Sequence, residues 1–104
     1  FKLFRQIATE WLTKNQENKV IEVFNGTFTS KIRGAYIWVI NMENSLNIEL
    51  VKAGACNAES MFVDQEDEKK ILVNKSEYEA FKKQIYEAEF RAKKEKLGIW
   101  SRTN

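Results

Sequence analysis

The chain has no histidine, no proline and a single cysteine, Cys56. Without histidine, Ser/His and Cys/His nucleophilic pairs and imidazole zinc sites are excluded within these residues. One cysteine forms no internal disulfide and holds no metal by itself, so Cys56 reads as a small buried apolar residue. No apolar run approaches the ~20 residues that a membrane-spanning helix needs, and no membrane partner is expected. No signal-peptide pattern is visible, and nothing points to a compartment. A Gly-rich phosphate loop and a nucleophile elbow are also missing, which removes two further enzyme classes. Charge of one sign is scarce too. Lys and Arg number 17 against 15 Asp and Glu, a net charge of +2 and a weak footprint for nucleic acid.

What is present suits one small globular domain spanning residues 1–104, with 43% hydrophobic and 31% charged residues. No internal repeat, low-complexity tract or linker interrupts it. Phe4, Ile7, Ala8, Trp11 and Leu12 recur at helical spacing and predict an amphipathic helix over Lys2 to Lys14. Residues 15–18 read as a polar turn. The β-branched and aromatic stretch from Lys19 to Phe24 predicts a strand. Asn25-Gly26 suggests a tight hairpin, but the polar TFTSKIRG that follows favours a longer loop or a strand running on through Phe28. AYIWVI, from Ala35 to Ile40, predicts a second strand with both faces covered, because it lacks polar alternation.

After a turn at residues 41–44, Ser45 is a plausible N-cap for a short helix ending at Ala53. Gly54 then fits the left-handed position past its end. Residues 55–63 stay ambiguous, and 64–70 read as a charged loop. The best-specified element is a long helix from Ser76 toward Trp100. Ser76 and Glu79 form a capping box, Phe81, Ile85, Ala88 and Ala92 make its apolar stripe, and Gly98 ends it. Ile99 and Trp100 would then fold back onto the core. Trp11, Trp38 and Trp100 read as core aromatics.

Three segments carry a family resemblance. AEFRAKKEKLGIWS resembles the closing A-x-x-x-K-x-x-x-GIW signature of the staphylococcal-nuclease family. SLNIELVKAG is similar to its LN-x-x-LV-x-x-G helix, and KIRGAYIWV to its GR-x-LAYIYV strand, one residue shorter at the start. The resemblance implies an α+β fold, a partial OB barrel that lacks the first three barrel strands. It implies a Ca²⁺-dependent phosphodiesterase acting on nucleic acid, in which metal-assisted water attacks phosphorus.

The family's first arginine, metal-binding aspartates and catalytic glutamate belong to the strands without a counterpart. The chain alone is therefore expected to be inactive and to hold no metal. Arg33 matches the second arginine, which the resemblance makes a phosphate clamp; on its own it reads as an exposed loop arginine. Lys31 matches a lysine of the substrate loop, and on its own reads as a solvated lysine. Ile32 stands where the family has a base-stacking aromatic. The pocket tyrosines after the second helix are absent, with Phe62 nearby.

Asp64, Glu66, Asp67 and Glu68 lack the glycine and terminal glutamate of an EF-hand and read as a solvated loop. The alternative function is a non-catalytic module that binds nucleic acid or protein on a nuclease-like scaffold. Two strands alone are marginal, so exposed barrel surface at Phe24, Ile37 and Trp38 is expected. Self-association, or a partner segment over the open strand edges, would cover it.

Overall fold

The computed structural model describes residues 2–27, 33–42 and 44–101, with the side chains of Thr27 and Arg33 left out. The first helix, α1 (Lys2–Lys14), has the predicted bounds. Strand β1 (Lys19–Thr27) runs straight through Asn25-Gly26 and pairs antiparallel with β2 (Arg33–Asn41). The tight-turn alternative is thereby excluded, since Gly26 lies opposite Gly34 inside the ladder. A bulge between Glu22 and Phe24 buries both Val23 and Phe24.

Two strands were expected; the sheet has three. After Met42, which adopts a left-handed φ of 52°, the two-residue strand β3 (Asn44–Ser45) pairs with Asn41 and Ile40. Ser45 then caps α2 (Leu46–Lys52), its side chain accepting from the Ile48 amide as the sequence predicts. Single 3₁₀ turns follow at Glu59–Met61 and Asp67–Lys70.

The long helix α3 spans Lys75–Lys94 and is capped by Asn74, not Ser76. Asn74 Oδ1 accepts from the Ser76 and Glu77 amides, at 2.8 and 3.4 Å. The helix therefore starts one residue before the predicted cap, and Ser76 lies inside its first turn. Both residues are good cap formers. The helix also stops earlier than Gly98. Leu97 N–H donates to Ala92 O and Lys96 N–H to Lys93 O, the paired bonds of a Schellman ending. Lys96 occupies its left-handed position with φ 54°. Glycine adopts that conformation without a Cβ penalty, so Lys96→Gly is expected to add about 0.5 kcal/mol. Calorimetry should show a melting temperature higher by about 2–4 °C.

The sheet is packed on both faces, unequally. On one face Ile21, Trp38 and Ile40 join Val23, Phe24, Val51, Phe62, Tyr78, Ile85 and Ala88 in the main core. On the other, Val39 meets a smaller cluster of Trp11, Leu46 and Leu50. The expected exposure of Trp38 and Phe24 is overturned. Trp38 stacks on Phe81 of α3 at 4.4 Å, and Phe24 is enclosed at the bulge. Ile37 is 43% exposed and its same-face neighbour Val20 62%, so full covering of β2 holds only for the Trp38 face and around Val39. Trp11 and Trp38 are core residues as predicted, whereas Trp100 is half-buried beneath the Lys93 ammonium and Ile99 is 51% exposed. The described residues form a small compact α+β domain of three α-helices and a three-stranded antiparallel sheet.

Candidate functional site

Arg33 is the first residue of β2 and the register partner of Thr27, at the end of the ladder nearest residues 28–32. Its side chain, and all of Lys31, lie outside the described residues. What surrounds this end of the sheet is described. Tyr36, three residues along β2, packs edge-on against Phe24 with ring centroids 6.4 Å apart. Burial, and then the carboxylates of Asp64 and Asp67, push its phenol pKa up. A small cavity of about 180 Å³ lies beside it, lined by Ala35, Tyr36, Ile37, Ser60 and Met61. The acidic segment thus lies within electrostatic reach of the strand that begins at Arg33, a proximity that spacing along the chain does not reveal.

The acidic segment is ordered by its own backbone and one ion pair. Asp67 and Glu68 amides donate to the Asp64 carbonyl, at 2.9 and 3.1 Å. Glu68 accepts from Lys82 Nζ of α3 at 3.0 Å, and Lys82 also lies over the Phe62 ring. Ca²⁺, which the resemblance implies for a complete domain, needs several oxygen ligands around one point. Among the described residues no three acidic, cysteine or histidine side chains converge. With Glu68 committed to Lys82, the described residues do not fit a calcium site, and no step is assigned to that ion.

No family model, curated protein or solved structure matches the chain.

Sequence reasoning places Asn47 in the LN-x-x-LV-x-x-G segment but gives it no role. It is buried in the first turn of α2, and its side chain reaches back to β2. Oδ1 accepts from the Val39 amide at 2.9 Å, and Nδ2 donates to the Ile37 carbonyl at 3.0 Å. The amide thereby continues the ladder where β3 stops. An asparagine among the apolar residues of LNIELV is the one signal that would have pointed to it. The outer edge of β1 is treated differently. It is crossed by the chain at Leu72, whose N–H donates to the Val23 carbonyl at 2.7 Å.

Four groups have a raised pKa in the folded state, namely Tyr36, Cys56, Tyr78 and Lys82. Burial raises the phenol of Tyr78, one of the most fully enclosed side chains, as it raises Tyr36. The hydrogen bond to Glu68 raises Lys82, and burial raises the thiol of half-buried Cys56. A group with a raised folded pKa stabilises fully below its unfolded value and loses that contribution as pH climbs through its folded value. The urea midpoint is therefore expected to begin falling near pH 9, where a free thiol titrates, and to fall more steeply above about pH 10 as Tyr36, Tyr78 and Lys82 titrate. Tyr78→Phe should flatten the steeper part, and a midpoint constant up to pH 11 would refute the expectation.

Proposed function

We propose that this chain is the C-terminal portion of a staphylococcal-nuclease-like, Ca²⁺-dependent phosphodiesterase acting on nucleic acid, inactive by itself. The observation that carries the reading is the meeting of two segments that resemble the family. SLNIELVKAG ends at Gly54, and the closing GIW begins at Gly98. The Ile99 amide donates to the Gly54 carbonyl at 2.8 Å, backbone against backbone. Two short motifs, 44 positions apart, thus form one structural joint, as expected if they belong to one inherited scaffold. The resemblance assigns Arg33 to phosphate binding and Lys31, two positions earlier in the sequence, to the substrate loop. A guanidinium suits that role because it offers paired donors to phosphate oxygens.

The test is complementation. The chain is mixed with a polypeptide carrying the three missing barrel strands of such a nuclease, and cleavage of labelled DNA and RNA is followed with and without Ca²⁺. Activity is expected only in the mixture, only with Ca²⁺, and is to be lost on Arg33→Ala. No cleavage at any mixing ratio that gives a stable complex sinks the proposal.

A second reading is favoured by the lack of converging carboxylates among the described residues. In it the domain binds nucleic acid or protein without catalysis. Salt-dependent retention of single-stranded DNA in a filter titration would support the nucleic-acid form. In both readings a second copy or a partner segment would add at the partly open face of Val20 and Ile37, and along the outer edge of β1 only away from the Leu72 crossing.

A further inference from the structure

Away from Arg33, a groove of about 740 Å³ lies between α2 and α3. Its apolar lining comes from Ile48 of α2 and from Tyr86, Ala88 and Phe90 of α3. Phe90 is 69% exposed and Tyr86 42%, a large apolar area for helix residues that face solvent. Lys52, Lys83 and Arg91 also line it, against one carboxylate, Glu87. The groove thus carries three cations to one anion, whereas the whole chain has 17 to 15. Lys83 and Arg91 flank Glu87 at four-residue spacing. Yet the ion pairs of the described residues are Lys82–Glu68 and Lys93–Glu89, so none of the three groove cations has an ion-pair partner among the described residues.

From this combination we infer that the α2–α3 groove is a docking site for an acidic amphipathic helix of a protein partner. A furrow between two packed helices accepts the apolar side of a third helix. Phe90 and Tyr86 supply the aromatic anchors that dominate such contacts. These three cations select carboxylates on the flanks of the incoming helix and repel a basic one. A nucleic-acid strand suits the groove less well. Ile48 and Ala88 give bases nothing to stack on, and the Tyr86 ring is already stacked on Phe62 with centroids 5.8 Å apart. The inference does not rest on the nuclease-like reading, since no residue of β2 lines the groove.

Fluorescence anisotropy with the full chain tests it. The probe is a labelled synthetic helix with leucines at i, i+4 and i+7 and glutamates on both flanks; a second helix replaces every glutamate by lysine. Saturable binding of the acidic helix is expected, with the basic helix weaker by about tenfold or more. Phe90→Ala should weaken the acidic helix about tenfold, as should Lys52→Glu combined with Arg91→Glu. These side chains lie outside the core, so unchanged circular dichroism is expected, with an unchanged urea midpoint for Phe90→Ala and only a small fall for the charge reversals in the last turns of α2 and α3. Equal binding of the two helices, no saturable binding, or indifference to Phe90→Ala overturns the inference. Tighter binding of an oligothymidylate than of the acidic helix also overturns it and assigns the groove to nucleic acid.

Discussion

Replacing Gly98 with alanine is expected to destabilise the domain by about 3–5 kcal/mol, a large share of the ~5–15 kcal/mol that holds a domain together. Gly98 has a φ of 53°, and a Cβ built on it would lie 2.0 Å from the Gly54 carbonyl oxygen. The reciprocal substitution meets the same wall. At Gly54, φ is 74°, and a Cβ would lie 2.2 Å from the Leu97 carbonyl oxygen. Left-handed backbone alone costs an alanine roughly 1 kcal/mol relative to glycine. The rest of the loss comes from separating two backbones that cannot yield as a flexible side chain can. Separation also breaks the Ile99–Gly54 hydrogen bond and loosens the seat of Trp100.

Urea denaturation should show the midpoint falling with little change in slope, and a melting temperature lower by about 15–25 °C. Gly26→Ala is the internal control. There a Cβ meets only the far end of the Phe24 ring, at 2.9 Å, and the backbone is extended strand. A loss under about 1.5 kcal/mol is expected at Gly26. Because Gly54 and Gly98 form one contact, the double alanine variant should lose clearly less than the sum of the two single losses. Full additivity would mean that the two glycines act separately, and the joint between α2 and the chain end would lose its explanation.

Asn47→Ala is expected to cost about 3–4 kcal/mol. Truncation leaves the Val39 amide and the Ile37 carbonyl without the partner they have in the folded state, and each such group costs about 1–3 kcal/mol when enclosed. Asn47→Asp separates the two halves of the interaction. The carboxylate still accepts from Val39 N–H, but its second oxygen then faces the Ile37 carbonyl. Burial and that carbonyl raise the folded-state pKa of the introduced acid. Stability from a raised group is present below the unfolded value near 4 and lost as pH rises through the folded value. The Asp variant should therefore lie much closer to the parent protein at pH 4 than at pH 7, when each is compared by urea midpoint. Equal deficits at the two pH values would show that Asn47 does not bridge to the Ile37 carbonyl in solution.

Local pattern made several elements legible. The apolar stripe of α1 defines Lys2–Lys14, and Ser45 and Gly54 bracket α2, because periodicity and caps act within a few residues. The same locality explains the misplaced start of α3. Asn74 and Ser76 are both competent caps, and the one used depends on where the chain from Ile71 to Val73 is held as it packs on the core. The short pairing of β3 with β2 was illegible for a related reason. Two residues carry no periodic signal, and the pairing exists because β2 lies alongside.

Composition and motif settled what chemistry these residues can do without histidine and with one cysteine, and they singled out Arg33 as the residue to test. Tertiary structure decided the rest. It brought Gly54 against Gly98, turned Asn47 into a ladder partner for β2, and enclosed Trp38 and Phe24 where an open barrel surface was expected. It also gathered Phe90 and three cations with no ion-pair partner among the described residues in the groove between α2 and α3. Each of these joins residues of different secondary-structure elements or their ends. Its energy depends on distances of a few ångströms between backbones and side chains, and those distances are set by packing, not by the order of residues along the chain.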